Sequence, residues 1–356
     1  MLRNLLILFV LTLSFQYQAQ TDSSKRIKFS GFPVLFYSPE TKLAFGVVGL
    51  NTFRWKNEFN SPRVSNLTIG FAYTLNKQLL IYLPFTFYLK KDTYRLSGEV
   101  GYYDYLYYYF GIGNDGIVKQ EPYKVNYPRI RFNTYKRLGE KWFGGLRYAY
   151  DKFSSFEFDT AGVLRNQDVI GTKSAANSGI GIGFQLDSRD QQFYPRKGFL
   201  GEFHVVRDDK WTGSAYQFTK ITFDITNYKS FSPKSVLATN FNTIFSDGDT
   251  PFYLLGLLGG GKRLRGIFEG QYRDNIASQL QAEWRQEFLK NWGFVAFAGL
   301  GIIAHDLNSI DFGQTKVAGG VGLRYKLNKK DHVNIRLDIG FGEGKILPYF
   351  TIAEAF

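Results

Sequence analysis

Residues 333–341 read VNIRLDIGF and alternate without a break. Val333, Ile335, Leu337, Ile339 and Phe341 fall on one face, and Asn334, Arg336, Asp338 and Gly340 fall on the other. Side chains of a strand point to opposite faces in turn, so this segment is a strand with one apolar side and one charged side. The split recurs upstream. In ASQLQAEWRQE, Leu280, Ala282 and Trp284 oppose Gln279, Gln281, Glu283, Arg285 and Glu287. In VAGGVGLRYKL, Val317, Val321, Leu323, Tyr325 and Leu327 oppose Ala318, Gly320, Gly322, Arg324 and Lys326. In GIGIGFQLD, Ile180, Ile182, Phe184 and Leu186 oppose Gly181, Gly183, Gln185 and Asp187. A soluble sandwich also alternates, with its apolar face inward. Charge of both signs returning on the polar face of strand after strand suits a hydrated lumen, and the apolar face then suits lipid. The pattern predicts an all-β chain, a transmembrane antiparallel β-barrel.

Composition agrees. The 356 residues carry 44 Lys and Arg against 31 Asp and Glu, a net charge of +13, with 37 Gly and no Cys. Glycine and aromatics in short alternating runs favour strands. Residues 1–19 read as a secretory signal peptide: Arg3 gives the positive start, Leu5 to Phe15 the apolar core, and cleavage falls near Ala19. That core is too short to span a bilayer. Residues 20–29 then form a short periplasmic segment and 30–356 the barrel, with no room for a separate soluble domain. The absence of cysteine excludes a disulfide framework and a lipoprotein anchor. No later segment reaches roughly eighteen uncharged apolar residues, the length a membrane helix needs. An open sheet edge cannot lie in lipid, so the strands must close. Candidate strands, from 30–37 to 347–356, number about sixteen, an even count as in other single-chain barrels. Pro33 weakens the first and suits a seam. The longest stretches without strand character are 106–122, 155–174 and 248–273. The run YYDYLYYYF, Tyr102 to Phe110, predicts an aromatic girdle at a membrane interface. A packed core or a stacking platform for a ligand is the alternative for it.

The loop segment GGGKRLRGIFEG, Gly259 to Gly270, has the look of a phosphate cradle. Such a loop needs Ser or Thr after its Lys, and a helix to follow. Arg263 stands in that place and strand-like sequence follows, so no nucleotide is expected. The cations are spread through the chain, which argues against nucleic acid. His204, His305 and His332 are scattered, and neither a serine elbow nor a metal-spaced cluster occurs. No catalytic residue, metal or cofactor is expected.

Leu264-Arg265-Gly266-Ile267 resembles the Val-Arg-Gly-Phe/Tyr motif of the BamA/TamA outer-membrane assembly family, the bacterial surface antigen barrels. DSRDQQFYPRKGF resembles that family's Asp-x-Arg-Asp…Tyr-Pro-x-x-Gly hairpin through Asp187, Arg189, Asp190, Tyr194, Pro195 and Gly198. GGVGLRYKL and NIRLDIGFG resemble its closing strands. YFTIAEAF resembles its C-terminal assembly signal through Phe350, Ile352 and Phe356. The resemblance implies a sixteen-stranded barrel whose long loop between strands eleven and twelve folds back into the lumen. It also implies a loop arginine held by acids on strands twelve and thirteen. Carried over, Arg265 pairs with Glu283, which alternation puts on the lumen side. Gly299 stands where the family often carries an Asp, so Glu283 is left to hold Arg265 alone. Ile267 stands where an aromatic is usual, and Glu354 interrupts the last strand. The family's periplasmic POTRA domains are missing, which makes this a barrel-only form.

The family resemblance further implies insertion or translocation of polypeptides at the outer membrane of a Gram-negative bacterium, and no enzyme activity. The implied partners are outer-membrane lipid, client polypeptides, and a separate periplasmic or membrane subunit in place of the POTRA domains. A scaffold subunit of a larger envelope complex and a passive pore favouring anions are the alternatives.

Overall fold

The structure, a computed structural model, describes residues 27–56, 58, 63–114, 120–166, 168–192, 194–328, 333–352 and 354–356. The expected leader and His332 lie outside the described residues. Sixteen strands close into one antiparallel barrel, each beside its neighbours in sequence. They are β1 (Ile27–Ser38), β2 (Lys42–Phe53), β3 (Ser65–Thr74), β4 (Leu79–Leu89), β5 (Tyr94–Tyr109), β6 (Glu121–Arg137), β7 (Trp142–Phe158) and β8 (Ala175–Asp187). The second half is β9 (Gly198–Asp208), β10 (Phe218–Ser232), β11 (Ser235–Gly248), β12 (Ile276–Glu287), β13 (Trp292–Ala304), β14 (Lys316–Asn328), β15 (Val333–Gly342) and β16 (Lys345–Ile352).

The faces are inverted relative to a soluble protein. On β15, Leu337 is 46% exposed and Asp338 is 0% exposed. On β12, Leu280 and Trp284 are exposed while Gln279, Gln281, Glu283 and Arg285 are buried. An apolar outside and a polar inside is the arrangement a bilayer selects for strands that pair with one another around a ring.

The strands differ in reach. β6 and β7 have 17 residues each. At roughly 3.3 Å per residue they run about 55 Å, beyond what a tilted strand needs to cross lipid. Their far ends therefore stand clear of the membrane, and this overturns the expected girdle at Tyr102–Phe110. Alternation that sends Tyr102 outward sends Tyr103, Tyr107 and Tyr109 inward. There Tyr103 stacks on Tyr127 (5.2 Å) and Tyr107 on Tyr123 (5.6 Å), in a core with Phe153, Phe252 and Leu255. Exposed outward aromatics instead gather at the opposite end, where Ile27 lies. Trp55, Trp142, Phe231, Trp284, Phe288 and Trp292 stand there, with Phe231 stacked on Trp284 at 5.5 Å.

The barrel closes weakly. β1 pairs with β2 along its whole length, from Ile27 opposite Phe53 to Ser38 opposite Lys42. Toward β16 its one matched pair among the described residues is Tyr37 with Phe350. The offset explains this. With 37 opposite 350, residue 352 comes opposite 35 (37 + 350 − 352), so residues 27–34 run past the end of β16. Proline does not mark the seam by itself: Pro33 lies in β1, but Pro84 lies within β4 and Pro128 within β6.

Candidate functional site: the loop in the lumen

The connection between β11 and β12 begins with Phe252 and Tyr253, which pack on the β5–β7 wall. Phe252 lies edge-on to Tyr109 (5.5 Å), and Tyr253 stacks on Phe153 (3.9 Å). Gly256–Leu257 then pairs with Arg273–Asp274 to form a neck. Leu258 N–H donates to the Tyr272 carbonyl, and Gly270 N–H to the Leu258 carbonyl, both at 3.0 Å.

The tip is the GGGKRLRGIF segment. Gly266, at φ +114°, adopts a left-handed backbone that side-chain-bearing residues rarely take. It is also a close approach. A Cβ on Gly266 meets the Phe341 backbone at 2.6 Å, and one on Gly340 meets Gly266 N at 2.6 Å. Loop backbone and β15 backbone therefore touch directly, and Gly266 N–H donates to the Tyr349 hydroxyl on β16 (3.2 Å).

This contact aims Arg265 between β12 and β15. Its Nη2 donates to Glu283 and its Nη1 to Asp338, and its guanidinium lies 3.6 Å over the Phe297 ring. The Arg265 side chain has no exposed surface. Glu283 does not hold the arginine alone: the second carboxylate is Asp338, from β15. Gly299 has another use. A Cβ there meets Leu264 Cδ1 at 3.0 Å, and one on Gly301 meets Leu264 Cδ2 at 2.8 Å. The bare backbone makes room for Leu264, which is buried with Leu258, Ile267 and Tyr272. Alternation alone had put Asp338 on the polar face of β15. Its distance from Arg265 along the chain hid the pairing.

The two carboxylates are shared. Glu283 Oε1 accepts from Arg285 Nε (2.7 Å), and Asp338 Oδ1 accepts from Arg324 Nη1 (2.5 Å). Arg324 Nε donates to Glu354 Oε2 (2.8 Å), and Arg336 Nη2 to the Gly261 carbonyl (2.9 Å). Arg265, Arg285, Arg324 and Arg336 thus face Glu283, Asp338 and Glu354, an excess of one cation (4 − 3). Buried guanidiniums are tolerated only where carboxylates meet them in good geometry.

Glu354 explains the break in the last strand. β16 ends at Ile352, and Glu354 turns into the lumen, where it also accepts from Asn334 Nδ2 (2.7 Å). Arg285 Nη2 holds the main-chain oxygen of Phe356 (2.8 Å). Phe350 thus sits at the seam and Phe356 in the lumen mouth. Burial opposes the Glu354 carboxylate, but Arg324 and Arg285 outweigh it and hold its pKa below the ordinary value. A depressed carboxyl pKa gives stability that is present above the unfolded value and lost as pH falls through the folded one. Hydrogen exchange of residues 345–356 is therefore expected to stay slow, relative to intrinsic rates, between pH 7 and pH 5. Glu354→Ala is expected to speed it at both.

The β8–β9 hairpin forms a second charged cluster. Asp187 Oδ1 accepts from Arg189 Nε (3.0 Å) and Oδ2 from Arg189 Nη2 (3.2 Å), and Arg63 Nη2 lies 2.8 Å from the same Oδ2. Asp190 caps the turn through the Arg196 and Lys197 amides (2.9 and 3.2 Å). Pro195 is buried, and Gly198, at φ +104°, would place a Cβ 2.3 Å from the Ser188 carbonyl oxygen. Tyr194 is buried beneath Arg285, 6.0 Å from its guanidinium, so the hairpin and the loop network meet at that arginine. The structure keeps His204 and His305 apart, on β9 and beyond β13.

A model of the Omp85 superfamily domain matches residues 35–341. The chain belongs to the Omp85 superfamily. Solved structures similar to this Omp85 barrel include BamA from Haemophilus ducreyi lacking POTRA domains 1–3 (15% identity, TM-score 0.60, covering 92% of this chain and 70% of that one). CdiB from Acinetobacter baumannii (14%, 0.62, 92% and 60%) and CdiB from Escherichia coli (14%, 0.58, 92% and 62%) are similar as well. At these identities the likeness shows the fold. No curated protein matches the chain. Among the described residues the Omp85 barrel carries no POTRA domain.

Proposed function

We propose that this Omp85 barrel inserts or translocates polypeptides at the outer membrane of a Gram-negative bacterium. The seam carries the reading. Residues 27–34 of β1 have no β16 residue opposite them, and an unpaired strand edge is a template for another strand. A client segment adding there gains backbone hydrogen bonds that the closed barrel leaves unmade. A separate periplasmic subunit is the proposed receiver of clients, and the β8–β9 hairpin, on the same side as Ile27, is where it would dock.

A reversible lock tests this. The chain has no cysteine, so Tyr37→Cys with Phe350→Cys gives a single defined disulfide across the one matched seam pair. In cells depleted of the wild-type protein, the oxidised form is expected to lower the levels of assembled outer-membrane proteins. Reductant should restore them. Undiminished assembly with the seam fully locked would sink the reading.

A further inference from the structure

Away from the arginine network, the inner wall of β6–β11 encloses a cavity of about 210 Å³, closed on one side by Leu254 of the long loop. That is the volume of about seven liquid waters at roughly 30 Å³ each. One part of its lining is apolar: Val206, Phe218, Ile244 and Leu254. The other carries Arg131, Arg147 and Lys220 against Asp151 and Asp208, with His204 beside Tyr135.

The charges do not cancel locally. Asp151 is occupied, accepting from Arg129 (2.8 Å) and from Arg131. Glu202 accepts from Gln185 Nε2 (2.7 Å). Arg147 lines the cavity, and Lys220 Nζ donates to the Leu254 carbonyl (2.8 Å). Among the described residues, neither cation has a carboxylate at ion-pair distance. A guanidinium has five donors and an ammonium three, so each keeps donors for a further acceptor. Gln185 is neutral, so Glu202 keeps its charge, and Arg129, Arg131, Arg147 and Lys220 face Asp151, Asp208 and Glu202, an excess of one cation (4 − 3).

Register puts these cations level with each other. Arg147 is opposite Gly181, Gly181 opposite Val206, and Val206 opposite Lys220. They stand three strands apart, about 14 Å along the wall at roughly 4.8 Å per strand. Between them on the wall, Gly181 has no side chain and Val206 belongs to the apolar lining.

We propose that this cavity binds a small organic anion, a carboxylate or phosphate on a short apolar body. The anionic group would lie between Arg147 and Lys220, and the body against Phe218 and Ile244. Burying one cation more than the carboxylates offset is costly, and an anion that also fills the apolar part removes both deficits.

Calorimetric titration of the folded full chain in neutral detergent, with phenyl phosphate as the probe, tests the site. One binding equivalent is expected, and benzyl alcohol, which lacks the charge, should not bind. Lys220→Met and Arg147→Met should each weaken binding about 10- to 100-fold, the range for losing one charged hydrogen bond. Arg147→Lys should weaken it less than Arg147→Met. Ile244→Phe, which fills the cavity and leaves every charge in place, should abolish binding, and it serves if the methionine variants do not fold. The proposal is overturned if phenyl phosphate shows no binding at millimolar concentration, or if benzyl alcohol binds as well. It is equally overturned if Ile244→Phe or both folded methionine variants bind like the wild type.

Discussion

Glu283→Ala is expected to destabilise the folded barrel by on the order of 3–5 kcal/mol, as removing one partner of a buried ion pair does. Glu283 is wholly buried, holds both Arg265 and Arg285, and lies 3.7 Å from Arg324. Its loss changes the lumenal balance from four cations against three carboxylates to four against two. Arg265→Met works the other way. It leaves three cations against three carboxylates, with Arg285 still on Glu283 and Arg324 still on Asp338. Arg265→Met is therefore expected to cost clearly less than Glu283→Ala, although it frees the loop tip. Urea unfolding in lipid vesicles, followed by tryptophan fluorescence, measures both. Equal losses would mean that charge balance does not govern this network.

Gly340→Val is expected to push the loop off its seat. Its Cβ would fall 2.6 Å from Gly266 N and 2.8 Å from the Arg265 carbonyl carbon. Both are backbone atoms, so no side chain can rotate aside. The cost should reach about 3 kcal/mol, the upper end of ordinary overpacking. The loop tip then leaves the lumen, and single-channel conductance in a planar bilayer should rise above that of the wild type. Gly139→Ala, in the turn between β6 and β7 where a Cβ meets nothing nearer than 3.8 Å, is the control. Unchanged conductance and stability in Gly340→Val would refute the direct backbone seat.

Much of this was legible in the residues because a strand's period is fixed. VNIRLDIGF and ASQLQAEWRQE assign their own faces, so the barrel and the lumenal position of Glu283 follow from counting. The features that escaped depend on where a strand stops. Tyr103, Tyr107 and Tyr109 meet an inner core at a level where β5 outruns the membrane, and no local pattern states that. Glu354 looks like a fault in β16 until the chain is seen to turn at Ile352 and meet Arg324. The seam is an offset between two strands more than three hundred residues apart, 37 against 350. Asp338 was on the correct face, yet only the folded loop selects it as the second partner of Arg265.

The long loop is anchored at both ends of its path. Phe252 and Tyr253 fasten it to β5–β7, and Arg265 with Gly266 fastens it to β12 and β15. Mechanically it is a tie across the ring. The seam lies on the arc of β16 and β1–β4 between the two anchorages, so parting β1 from β16 cannot simply spread the cylinder. That arc must bow or swing about the tie, while the β8–β11 arc, which has no seam, keeps its curvature. The barrel therefore has one compliant sector and one stiff one, and the arginine tip sets where the first ends.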